Sequence, residues 1–356
     1  MIFLCIGNLQ TLISCHLAFL ITIYVGVRSL DNGTDLGYNC SIFLCEDDMI
    51  EEKTNAEHTT VRSAISDKIY GEIPPRPMHL SYLTKSCNPR YAAGKARLSE
   101  IEIIMDFGEK EAVLPIKAII PNKDAPCSAI VFLSREESVP SEFLPAEEII
   151  DRGYAIINLC VDSVSGVDGS FKDGIAKYIS SSRRKKSAAG KLALWAWAAM
   201  RAIDYLYDRD VVDKDRIIVA GHGISAECAL LCAAFDERIS CVIANEPFGV
   251  DLGSAIGREY LYCPAFADEP RTDGISLLVG LCRGKKILIG SACDRACADS
   301  NYESDLLRKI GVPEVDMSEP CMTESATMHY HRRGGGEYFS REDWKYYLDF
   351  IEKATF

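Results

Sequence analysis

The chain has 356 residues, enough for two ordinary domains or one large α/β domain. Hydrophobic residues make up 48 % and charged residues 26 %, a globular balance that excludes disorder for the bulk of the chain. The net charge of -13 argues against nucleic acid, whose phosphates need Lys and Arg, and suits a soluble acidic protein.

Met1 to Val27 carries no Lys, Arg, Asp or Glu, and Leu12 to Val27 is nearly all apolar. The run is short for a spanning helix of about 20 residues, and it lacks the basic n-region of a signal peptide. It reads as a membrane anchor, an atypical signal or an upstream extension. Residues 1–48 are thus expected to pack little against a single domain over 49–356, with Met49 opening an ordinary polar start. A membrane partner follows only if residues 12–27 are a true anchor. The location is cytoplasmic if the leader has no function, and membrane-anchored or secreted otherwise. The 15 cysteines are scattered without a CxxC pair. Cys228 and Cys232 read as buried free thiols in an apolar helix, and Cys293 and Cys297 lack the further ligands of a zinc site. No metal and no cofactor is expected.

Val61 to Tyr70 is a helix candidate ended by Gly71 and the Pro74-Pro75 pair. Ile101–Phe107 and Ala112–Ile120 read as an antiparallel hairpin. Ala129–Leu133 is a buried strand, Ala146–Arg152 a helix closed by Gly153, and Tyr154–Cys160 the next strand. Alternation of this kind builds a mostly parallel sheet with helices on both faces. Val161 to Ser187 is a polar loop whose basic run Arg183-Arg-Lys-Lys186 reads as a solvated face. Ala188 to Tyr207 is apolar nearly all round through Met200, so it is a buried helix.

Arg216-Ile-Ile-Val-Ala220 is a buried strand, Gly221-His-Gly-Ile-Ser225 a sharp turn, and Ala226 to Phe235 an apolar helix. This is the layout of the G-x-S-x-G turn that exposes a nucleophilic serine above a sheet, with glycine at its centre. Ile239–Ala244 and Lys286–Gly290 are further strands, Ser300–Ile310 a helix and Thr327–His331 a last short strand. Gly334-Gly-Gly336 marks a loop. Ser340-Arg-Glu-Asp343 forms a capping box before an amphipathic helix carrying Trp344, Tyr347, Leu348 and Ile351.

Three blocks carry a family resemblance. They are Lys191 to Tyr205 (KLALWAWAAMRAIDY), Asp215 to His222 with Ala233-Ala-Phe-Asp-Glu-Arg238, and Tyr330-His-Arg-Arg333 with Asp343 to Phe350 (DWKYYLDF). Together they resemble α/β-hydrolases similar to bacterial glucuronoyl esterases and acetylxylan esterases, over about Val61 to Phe356. The resemblance implies an α/β-hydrolase fold and hydrolysis of acetyl or glucuronoyl esters on plant polysaccharide, with a carbohydrate or ester as ligand. Position by position, it puts the family's nucleophilic serine on Gly223 and the following arginine on Ile224. It puts the lysine that closes the motif on Glu227 and the catalytic histidine on Glu337. The acid falls on Asp294 or Asp299.

A serine esterase needs a hydroxyl within reach of an imidazole. Gly223 has none, so loss of catalysis is expected. Ser225 is the alternative nucleophile, although its position after the turn reads as a helix N-cap. His222, His329 and His331 are alternative bases. Cys228 is expected to be buried and inert, and a carboxylate pair of Glu337 and Asp294 has no spacing to support it.

Overall fold

The computed structural model describes residues 58–353, apart from positions 109, 124, 182, 249–256 and 295–299. The leader, Cys297 and Asp299 lie outside the described residues. Ten strands form one sheet in the order β1-β2-β3-β5-β4-β6-β7-β8-β10-β9. They are β1 His79–Arg90, β2 Ala96–Asp106, β3 Glu111–Pro121, β4 Cys127–Ser134, β5 Ala155–Cys160, β6 Val212–His222, β7 Ile239–Asn245, β8 Lys286–Asp294, β9 Cys321–Glu324 and β10 Met328–Gly336.

From β5 through β4, β6, β7 and β8 to β10 every pairing is parallel. The flanks are antiparallel: β1–β2, β2–β3 and β3–β5 on one side, β10–β9 on the other. Strands β4, β5 and β7 are short and mostly apolar because both of their faces are covered. Helix α1 (58–68) precedes the sheet. The other helices are α2 Ala146–Asp151, α3 Ala176–Ile179, α4 Lys191–Tyr207, α5 Ile224–Phe235, α6 Gly274–Leu281, α7 Ser300–Lys309 and α8 Arg341–Lys353. One core layer packs α1, α4, α5, α6 and α7 against one face of the sheet. The other face is closed by α2 and α8 through Ile149, Ile150, Trp344, Tyr347, Leu348 and Ile351.

Helix α4 is buried from Lys191 to Leu206, as its composition predicts, but it begins at Lys191 and not at Ala188. Gly190 is extended (φ -70°, ψ 174°) and so ends the helix, and it lies directly against the backbone of Leu261 and Tyr262, a contact no side chain would permit. The last parallel strand runs on through Gly334-Gly-Gly336, which sequence assigned to a loop; Gly336 still pairs with Asp294 of β8. Strands β1 and β9 escaped the sequence reading because they are edge strands, largely exposed, with no clear alternation of apolar residues. Cys228 and Cys232 are buried free thiols of α5, and Cys293 is half-buried. Among the described residues no helix is long and apolar enough to cross a membrane.

Candidate functional site

The turn between β6 and α5 lies at the carboxyl ends of the parallel strands, where open α/β sheets place their sites. Gly223 occupies its apex with φ 59° and ψ -123°. The turn is tied down by the Gly223 N–H, which donates to the Asn245 carbonyl at 2.9 Å. The Gly223 carbonyl in turn accepts from the amides of Ala226 (3.0 Å) and Glu227 (3.4 Å). At Gly221 a Cβ would strike the Ser225 backbone, so that glycine is required by close packing. At Gly223 a Cβ would meet nothing within 4 Å. The sharp turn expected from sequence is therefore present, and the space at its apex stands open.

His222 flanks this opening. Its Nδ1 lies 2.7 Å from Asn245 Oδ1, and Asn245 Nδ2 donates to the Tyr347 hydroxyl at 3.2 Å. With the amide nitrogen committed to Tyr347, Asn245 Oδ1 accepts, so His222 holds its proton on Nδ1 and its lone pair on Nε2. The rings of Phe143 and Phe339 stand 4.8 and 6.1 Å from the imidazole. Burial among them lowers the His222 pKa, partly offset by the Asn245 hydrogen bond and the negative charge of Glu337. His222 is thus neutral at neutral pH.

Glu337 is exposed on the segment between β10 and α8, within electrostatic reach of His222. Asp294 is exposed at the end of β8, opposite Gly336. Gly223, His222 and Glu337 are therefore brought to one rim of the sheet. A further acid at that rim was missed from sequence. Glu246 follows β7 directly, is fully buried, and has a positive φ of 56°. Its amide donates to the Gly290 carbonyl at 2.9 Å, and its carboxylate lies 3.9 Å from Arg333 Nη2. A non-glycine residue in this conformation costs roughly 1–2 kcal/mol and tends to mark a functional site. The sequence signal was an acid at the carboxyl end of a parallel strand, ahead of Pro247.

Other predicted positions lie below the opening. Gly223, not Ser225, occupies the helix cap position; Ser225 is inside the first turn of α5 and 4 % exposed. The difference is one of phase, because the helix starts at Ile224, two residues ahead of the sequence estimate. Ile224 is partly buried and packs on the core. Glu227 is buried and receives the Tyr70 hydroxyl at 2.6 Å, with the Tyr262 hydroxyl 3.3 and 3.4 Å from its two oxygens. Burial pushes its pKa up to about 7 against the pull of those hydrogen bonds. The side chain at this position is thus an acid held between two phenols. The cation Lys191 is buried nearby on α4, where it donates to the Gly166 carbonyl and pairs with Asp168 at 3.1 Å. His329 and His331 are buried and hydrogen-bonded to each other.

Comparison with known proteins agrees with this geometry. The model of the family "Glucuronyl esterase, fungi" matches residues 103–256. The carbohydrate esterase MZ0003, from an unknown prokaryotic organism, is 23 % identical over 58 % of this chain; the match takes in 55 % of that protein, so the chain spans about half its length. A glucuronoyl esterase from Solibacter usitatus superposes with a TM-score of 0.71 at 20 % identity, covering 85 % of this chain and 93 % of that one. A family 15 carbohydrate esterase, the glucuronoyl esterase of Teredinibacter turnerae T7901, superposes at 0.69 with 16 % identity and 84 % of each chain covered. The Hypocrea jecorina glucuronoyl esterase catalytic domain gives 0.62 at 18 % identity, over 85 % of this chain and 84 % of that one. The chain has the α/β-hydrolase fold and is similar to glucuronoyl esterases among the carbohydrate esterases.

Proposed function

We propose that this protein keeps the scaffold of a carbohydrate esterase without its ester hydrolysis, and that it serves to bind a carbohydrate or ester ligand. The observation that carries this reading is the open apex at Gly223, with Glu337 in place of an imidazole at the same rim. The turn is built, but it holds no hydroxyl to attack and Glu337 has no nucleophile to activate. The unmodified full-length protein should turn over acetyl and glucuronoyl esters no faster than a fold-matched inert control, and serine-directed phosphonates should not label it.

A second reading retains hydrolysis. It is favoured by the row His222–Asn245–Tyr347, which orients a neutral imidazole beside the opening, as a third group orients the base of a catalytic triad. His222 would then draw a proton from a water seated above Gly223. Under this reading, turnover exceeds the inert control and His222→Gln abolishes it. Absence of turnover in the wild type sinks it, and turnover lost with His222→Gln sinks the first.

A further inference from the structure

The far edge of the sheet holds a row of four titratable side chains that the elbow does not use. Glu324 Oε1 lies 3.0 Å from His329 Nδ1, and His329 Nε2 lies 3.0 Å from His331 Nδ1. His331 Nε2 lies 2.6 Å from Asp343 Oδ1. The two imidazoles are 1 % exposed and Asp343 not at all, whereas Glu324 is 38 % exposed. The row therefore runs from solvent on β9, through β10, to the buried start of α8.

Proton counting decides its chemistry. Three hydrogen bonds need three protons, and both ends are carboxylates that only accept. Two neutral imidazoles carry two protons. The observed row is complete only when it holds one proton more, with an imidazolium between two carboxylates or with a protonated Glu324. We propose that this shared proton is a pH-operated latch that holds edge strand β9 to β10 and α8, and that losing it releases Glu324 and loosens β9. This inference stands apart from any activity at the elbow.

The surroundings say where the row opens. Asp343 is held on its other oxygen by the Ser340 amide (2.7 Å), the Ser340 hydroxyl (2.8 Å) and Arg333 Nε (3.0 Å). Burial raises its carboxyl, but His331 and Ser340 outweigh burial and hold it below the usual range. Burial and the neighbouring His331 press His329 down to about 4, against the pull of Glu324, so the ring next to Glu324 holds an extra proton weakly. From α8, His329 also faces Tyr347, Phe350 and the charge of Lys353, while His331 faces Tyr346 and Tyr347. Opposite the pair, β8 presents Leu288 and Gly290, which do not titrate. Once the proton leaves, one contact must set two lone pairs face to face. Only Glu324 can move away into water. It sits opposite His329 in the ladder on an edge strand of four residues that, among the described residues, joins the sheet through β10. The bonded row is favoured at low pH and lost as pH rises.

The test is amide hydrogen exchange of the full-length protein between about pH 5 and pH 9, corrected for intrinsic exchange and referenced to β6. In the wild type, exchange in β9 should rise about tenfold or more toward high pH. Glu324→Gln supplies the missing donor permanently, through its amide to His329 Nδ1, so β9 should stay protected throughout. Glu324→Ala removes the tether, so β9 should exchange fast throughout. A flat wild-type profile, a Gln variant that follows the wild type, or an Ala variant that stays protected would each overturn the latch.

Discussion

At the scale of single residues, the site is decided by what the turn holds at its apex. Serine at position 223 would have room, since no atom lies within 4 Å of its Cβ. It would cost about 1–2 kcal/mol from the positive φ. Gly223→Ser alone, Ile224→Arg alone or Glu337→His alone should leave ester turnover at background, because members of a triad act as a unit. The three together should raise it by roughly 100-fold or more, with Glu246 and Asp294 as the available acids. Ester assays on all four proteins check this, and a single variant with full gain would refute it. Glu227 tests a different property. Its folded-state pKa of about 7 exceeds the unfolded value, so between about pH 4.5 and pH 7 the folded state holds a proton that the unfolded chain lacks. Stability from this group is therefore lost as pH rises, by roughly 3 kcal/mol across that window. Glu227→Gln should become more stable relative to the wild type by that order between about pH 4.5 and pH 8, read by urea unfolding at each pH. A difference that does not change with pH would mean that the carboxyl is not shifted.

At the scale of elements, the motif blocks that suggested a family prove to be structural ties. Asp204 on α4 is 5 % exposed and binds three guanidinium groups: Arg201 Nε at 2.7 Å, Arg238 Nη1 at 2.7 Å and Arg76 Nε at 3.3 Å. Arg238 also pairs with Asp236 at 2.6 Å, so one cluster fastens α4 to the turn between α5 and β7. Asp204→Asn should destabilise the fold by about 3 kcal/mol, because buried arginine charge loses its counter-ion. Thermal unfolding measures it, and a loss under about 0.5 kcal/mol would show that the cluster is dispensable. The capping box was legible and is present: the Asp343 amide donates to Ser340 Oγ at 3.1 Å, and the Ser340 amide to Asp343 Oδ2 at 2.7 Å. The same Asp343 also ends the histidine row, a second duty no local pattern could show.

At the scale of the whole molecule, the alternation of apolar runs and helix signals was enough to read a mostly parallel sheet covered on both faces. It could not order the strands. The sequence β5-β4-β6-β7-β8-β10 places β6 inside the sheet and its turn beside β7, which is how Asn245 and Glu246 come to flank Gly223. The chain by itself determined the elbow turn, the buried α4, the amphipathic α8 with its cap and the missing hydroxyl, because each depends on neighbours in sequence and on the period of one element. Tertiary structure alone decided that Glu246 is a buried acid at the strand ends and that Glu227 lies between two phenols. It also decided that two histidines two residues apart share a row with Glu324 and Asp343. Those facts rest on contacts between segments up to 157 residues apart, as from Tyr70 to Glu227, and local periodicity carries no information about them.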